Sequence, residues 1–227
     1  GGIRGGQTHS QSPEGYYART PGLAVVAPST AADARGLLKA AIRDDDPVLF
    51  LEHKLLYRRA KEVLPEGDGV VPIGKAAVRR AGRDLTIVTY GAMVGLALDG
   101  AAELAKEGIE AEVVDLRTLL PLDEETVLES VKRTSKALIL HEDARTLGIG
   151  AEVAATLAEK AYEWLDAPVV RVTAPDKSPV FRHRDVVPLA RDDDETTKED
   201  RQMAMLYRRE GEFATGHGTA VHVDTDP

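Results

Sequence analysis

The sequence predicts an α/β protein: one short β-α-β segment followed by an open parallel sheet with helices on both faces. Three observations carry this reading. Apolar runs of strand length, closed by proline or by polar turns, alternate with stretches of helical periodicity. Between residues 84 and 174 the alternation is regular, with four strand-like runs separated by three helix-like ones. Hydrophobic residues make up 43% of the 227 positions, enough to bury a core, and charged residues make up 30%.

Taken in order, the Gly-rich opening leads to GLAVVAP (22–28), an apolar run ended by proline that reads as a buried strand. Ser29 and Thr30 then offer N-caps for a helix through AADARGLLKAAI. Its Ala34, Leu37, Leu38 and Ala41 recur at i, i+3, i+4, i+7 and predict a single core-facing stripe. Asp44-Asp45-Asp46-Pro47 stops the helix, and PVLFLE (47–52) is the next strand. Links this short favour parallel pairing through a right-handed crossover. Residues 61–82, rich in proline, glycine and charge, read as a linker with a short strand at its end. The regular part then runs LTIVTY (85–90), a helix over 94–107 closed by a left-handed Gly108, and EAEVVDL (110–116). A helix capped by Asp123, KALILHE (136–142), a helix from Gly148 to Leu165 and PVVRVTA (168–174) complete it. Residues 182–227 change character: RDDDETTKED is charged and poor in apolar residues, so this tail is expected to be partly disordered. The domain reading is therefore 1–60, a linker 61–82, 83–181, and a separate tail 182–227.

Composition excludes several functions. With no cysteine there is no disulfide, thiolate zinc site or cysteine nucleophile. A net charge of −9 opposes nonspecific binding to nucleic acid, and 4% aromatic residues leave little for base stacking. No apolar run has the ~20 residues that a membrane helix needs. A cytoplasmic protein is expected. The chain opens on Gly1 and its methionines are Met93, Met203 and Met205, so it reads as part of a longer protein.

Four places could carry chemistry. His9 lies in a polar, glycine-rich stretch before the first strand, where an imidazole could exchange protons near neutral pH; the alternative is a surface histidine. Asp44-Asp45-Asp46 lacks EF-hand spacing, but the carbonyls at a helix C-terminus carry partial negative charge and can hold a monovalent cation. His141-Glu142 closes a strand at the carboxyl edge of the sheet, and Gly148-Ile149-Gly150 opens a helix. That glycine pair is not a dinucleotide fingerprint, and a tight turn with close helix–sheet contact is the plainer reading. His217 and His222 with Asp224 could bind zinc or nickel, although such pairs in a short strand are more often incidental.

The motifs themselves suggest a family. HSQSPEGYYARTPGLAVVAPSTAADARGLLKAAIRDDDPVLFLEHKLLYR resembles the β subunit of thiamine-diphosphate-dependent 2-oxo acid dehydrogenases, the decarboxylating components of the pyruvate and branched-chain complexes. VPIGKAAVRRAGRDLTIVTYGAMV, EVVDLRTLLPLD and HEDARTLGIGAEVAATLAEKAYEWLDAPVVRVTAPDKSPVF follow in the family's order, through residue 181. The resemblance implies that 1–60 is the C-terminal part of a pyrimidine-binding domain and 83–181 a transketolase C-terminal-type domain. It implies an α2β2 assembly with a second β subunit, an α subunit holding magnesium and the diphosphate, and a lipoyl acyltransferase core. On the HSQ motif it makes His9 catalytic, handling intermediates or acyl transfer to the lipoyl group. On the AIRDDDP stretch it implies a potassium loop formed by Ala41, Ile42, Asp44 and Asp46.

Two departures qualify the resemblance. The family's coenzyme-activating glutamate is matched by no glutamate in 1–60, so the chain alone is expected to be inactive, with open sheet edges in its first segment. From Arg182 onward the family pattern is lost. The leading expectation is a partial β subunit of a 2-oxo acid dehydrogenase. The alternatives are a non-catalytic assembly module and an acetoin dehydrogenase or other transketolase-family enzyme.

Overall fold

The computed structural model describes residues 11–64 and 66–174. In chain order the elements are α1 (Glu14–Ala18), β1 (Ala24–Val26), α2 (Ala31–Arg43), β2 (Val48–Phe50), α3 (Leu56–Arg59), β3 (Ala77–Arg80) and β4 (Leu85–Thr89). There follow α4 (Met93–Lys106), β5 (Ala111–Asp115), β6 (Thr118–Leu120), α5 (Glu124–Thr134), β7 (Ala137–Ala144), α6 (Ile149–Lys160), a 3-10 turn (Tyr162–Trp164) and β8 (Val170–Ala174). His9, the tail 182–227 and the His217–His222 pair lie outside the described residues.

The larger sheet has the order β3-β5-β4-β7-β8, with β4, β5, β7 and β8 parallel. Its helices divide between two faces. On one, Leu96, Ala97, Ala101 and Leu104 of α4 pack on Leu85, Ile87, Val113, Leu138 and Leu140. On the other, Val127 and Val131 of α5 and Ile149, Val153 and Leu157 of α6 pack on Val88, Val114 and Ile139. Strands covered on both faces read as continuous apolar runs, which is why LTIVTY and KALILHE show no alternation. The predicted wholly parallel sheet needs one correction. The short strand at the end of the linker, β3, joins β5 antiparallel and forms an edge of this sheet.

The smaller sheet, β2-β1-β6, pairs β1 parallel with β2 and antiparallel with β6. Strand β6 was not expected. It is three residues long and follows Arg117, whose φ of 57° turns the chain out of β5. Thus one edge of β1, expected to stay open, is covered by a strand from the downstream part of the chain.

Helix α2 starts as expected, with the Thr30 side chain accepting from Asp33 N at 3.1 Å. Its buried face differs from the predicted stripe. Leu37 is buried, but Leu38 and Ile42 are exposed. The segment after residue 65 lies across the helix at Gly36, where a Cβ would come within 2.5 Å of Val71 Cγ2 and 2.6 Å of Gly69 O. Arg35 donates to Gly67 O, while Lys39 and Arg43 bind Asp68. Polar contacts along i, i+4, i+8 therefore rotate the helix away from the stripe its leucines suggest. The Gly148–Leu165 helix is also shorter than expected: α6 ends at Lys160 and the 3-10 turn continues it.

A buried polar network ties the two sheets together. Asp115, fully buried at the end of β5, accepts from Ser29 Oγ at 2.5 Å and from Arg79 Nε and Nη2 at 3.0 and 2.9 Å. Arg79 also pairs with Asp33 in the first turn of α2, and Arg117 Nη1 reaches Asp33 Oδ1 at 3.1 Å. Arg117 donates further to the carbonyls of Lys75 and Ala76. Burial pushes the Asp115 carboxyl up, while Ser29 and Arg79 pull it the other way.

Candidate functional site at the sheet junction

Carboxyl edges of parallel strands are where open α/β sheets bind ligands, at the point where the strand order reverses. Here the chain leaves β4 for β5 on one side and returns for β7 on the other, so that point lies between β4 and β7. A cleft of about 180 Å³ opens there. Tyr90 and Gly91 line it from the end of β4, Met93 from the start of α4, Glu142 from β7, and Ala27 and His53 from the segments that follow β1 and β2. Glu14 of α1 closes one side.

His53 links the two sheets. Its Nδ1 accepts from Leu55 N at 3.2 Å, and its Nε2 stands 2.7 Å from Glu142 Oε1. Burial works against the charge on Glu142, yet His53 holds the carboxyl below its ordinary range. Glu52 is exposed and accepts from the Tyr57 hydroxyl at 2.7 Å. Glu14 Oε2 is buried with no hydrogen-bond partner. Burial, with repulsion from Glu142 and Asp143, raises the Glu14 carboxyl from 4.5 to about 7. The Tyr90 hydroxyl is likewise buried without a partner, and its pKa is pushed well up by burial and by Glu14, Asp143 and Glu142. The Tyr90 and His141 rings stack with centroids 6.1 Å apart.

His141, expected as one half of a candidate corner, is a core residue. Its Nε2 accepts from Gly150 N at 3.2 Å, and burial, reinforced by the Arg171 charge, lowers its pKa to about 4. A neutral imidazole thus caps the start of α6. The two glycines serve that contact: a Cβ on Gly150 would lie 2.4 Å from His141 Nε2, and one on Gly148 2.4 Å from Ala144 O. Only Glu142 of the His141-Glu142 pair reaches the cleft.

Ala41, Ile42, Asp44 and Asp46 fall together at the C-terminal end of α2, with Asp44 extended and Asp46 N donating to Asp44 Oδ1 at 3.0 Å. Chain direction puts this turn at the starting edge of β2, away from the cleft. Glu14, His53 and Tyr90 were not singled out in the sequence. His53 directly follows one strand run and Tyr90 ends another, which is the signal that could have found them. Glu14 follows Ser12-Pro13, a possible helix start, on a helix too short to show periodicity.

Residues 1–60 match the transketolase pyrimidine binding domain, and residues 74–187 match the transketolase C-terminal domain. The chain belongs to the transketolase family. Within that family it is 52% identical over 176 residues to the 2-oxoisovalerate dehydrogenase subunit beta of Bacillus subtilis, covering 78% of this chain and 54% of that one. It is 48% identical over 200 residues to the pyruvate dehydrogenase E1 component subunit beta of the same organism, covering 84% of this chain and 62% of that one. The chain thus spans little more than half the length of these curated relatives. Among solved structures it resembles a split gene transketolase described as an inactive beta4 tetramer, with TM-score 0.63 and 29% identity, covering 75% of this chain and 54% of that one. Among the described residues no helix is long and apolar enough to cross a membrane.

Proposed function

We propose that this chain works as the β-subunit part of a 2-oxo acid dehydrogenase, in the oxidative decarboxylation of pyruvate or a branched-chain 2-oxo acid with acyl transfer to a lipoyl carrier. The single observation that carries the reading is the near-half identity to β subunits of both kinds, running through both domains. The partners proposed are an α subunit, a second β subunit and a lipoyl acyltransferase core, in the cytoplasm. His9 is the proposed catalytic residue of this chain, and the carbonyl turn of Ala41, Ile42, Asp44 and Asp46 the proposed potassium loop.

Thiamine diphosphate is the coenzyme proposed, supplying the carbanion that attacks the 2-oxo acid. The described residues do not fit its activation. Glu52 is bound to Tyr57, Glu142 is held by His53, and the Glu14 oxygen left unpartnered is sealed from solvent. Each is engaged by a neighbour or closed off, so no coenzyme step is assigned to them. In this reading the magnesium and diphosphate belong to the α subunit, and the chain supplies one wall of a shared pocket.

Co-expression with an α subunit of this enzyme class tests the proposal. The expected result is a stable α–β complex, together with no magnesium-dependent coenzyme binding by the chain alone in a calorimetric titration. Tight binding by the isolated chain would overturn it. A second reading, an assembly module without activity, draws support from the likeness to a beta4 assembly described as inactive. A homo-oligomer that ignores the α subunit would favour that reading.

A further inference from the structure

Helix α1 is weakly built. It has five residues, none of them buried, and Pro13 at its N-cap makes no side-chain capping bond. It rests on β1, β6 and the start of α6. The approach to α6 is close: a Cβ on Gly15 would lie 3.0 Å from Leu147 O and 3.4 Å from Asp143 Oδ2. This seating drives Glu14 into the junction between the sheets. The groups acting on it are Glu142 and Asp143 from β7, with neutral His141 behind them, and Tyr90 from the end of β4, while Glu52, His53 and Lys54 from the segment after β2 line the same cleft. Strands β1 and β6 bring no titratable side chain, and the first acid of α6 is Glu152. His53, a base lining the same cleft, stands on Glu142. A second carboxylate at this place would face negative charge with one oxygen sealed from water.

We propose that Glu14 is a proton-operated latch: neutral, it seats α1 on the junction of the two sheets; ionised, it is expelled by its desolvated seat, with repulsion from Glu142 and Asp143 added, and α1 lifts from the mouth of the cleft. The device is independent of the reaction proposed above, because it needs neither coenzyme nor partner. The direction follows from linkage. The seated carboxyl titrates at about 7, and a released one at its ordinary 4.5. Release of α1 therefore expels a proton between these values. Opening becomes easier as pH rises from 4.5 to 7 and then levels off. The span corresponds to an opening constant that grows about 100- to 300-fold.

Hydrogen exchange of the α1 amides in the full chain, corrected for intrinsic rates, reads this directly. The wild type is expected to lose protection by about two orders of magnitude between pH 4.5 and 7, with a plateau above. Glu14→Gln, which mimics the neutral acid, is expected to keep acid-state protection across the range. Asp143→Asn, which removes one repelling charge, is expected to shrink the change. A wild-type profile that stays flat from pH 4.5 to 7.5 overturns the latch without any variant. Persistence of the full pH dependence in Glu14→Gln overturns it equally.

Discussion

Replacing Arg79 by methionine keeps most of the side-chain volume and removes the charge that Asp115 and Asp33 share. Two charge-assisted bonds to Asp115, at 3.0 and 2.9 Å, disappear, as does the ion pair to Asp33. Both carboxylates are buried, with side chains 0% and 5% exposed. Removing one partner from a buried ion pair costs about 3–5 kcal/mol, because the charge left behind is desolvated and unpaired. Ser29 Oγ and Arg117 N still serve Asp115, and the Arg117 guanidinium still serves Asp33. These survivors put the expected loss at the lower end, about 3 kcal/mol, equivalent to roughly 6–12 °C in Tm for a protein of this size. Urea unfolding at pH 5 and pH 8 is the assay. Asp115 already has its carboxyl raised by burial, and losing Arg79 raises it further. A raised carboxyl favours the folded state at low pH and loses that advantage as pH climbs, so the deficit should be smaller at pH 5 than at pH 8. A deficit below about 1 kcal/mol at pH 8, or one that is equal at both pH values, would refute the view that this network holds the sheets together.

Gly150→Ala should destabilise by about 1–3 kcal/mol or more, measured by thermal unfolding, because the new methyl would sit on the ring of His141. Asp123→Ala should cost about 1–2 kcal/mol by denaturant titration, since its carboxylate caps α5 through Thr126 N and also accepts from Ala76 N. His141, with its folded pKa lowered from 6.5 to about 4, contributes stability that is present above pH 6.5 and is lost as pH falls through that window, by about 3 kcal/mol. NMR of the imidazole should show it neutral at pH 5.5, and a protonated ring there would contradict its burial. This acid loss and the α1 release that grows toward neutral pH run in opposite directions. Linkage carries both into global unfolding, where they oppose each other, while the second should also change the local exchange of α1.

Most of the architecture was legible because the strands of the larger sheet are apolar on both faces and their helices carry clear periodicity and caps. Thr30, Asp123 and Gly108 act at helix ends as their residue types suggest. What escaped was short or nonlocal. Helices α1 and α3 bury no residue, so no pattern could mark them. Strand β6 is defined only by a partner more than ninety residues upstream, Val25 pairing with Leu120. The outward turn of Leu38 depends on where Asp68 comes to lie, which periodicity within α2 cannot register. The cleft shows the same division. The His141-Glu142 corner was visible as the end of a strand, but Glu14, His53 and Tyr90 converge from three separate segments. The place where they meet is set by strand order.

Strand β6 has a consequence for how the polypeptide can be divided. Because β1 is hydrogen-bonded to a neighbour supplied from beyond β5, severing the connection near residue 65 would leave two pieces held together, with a strand of the second still seated in the sheet of the first. Nicked protein should accordingly travel as one particle and melt in a single cooperative step, and the halves should come apart only when both lose their structure.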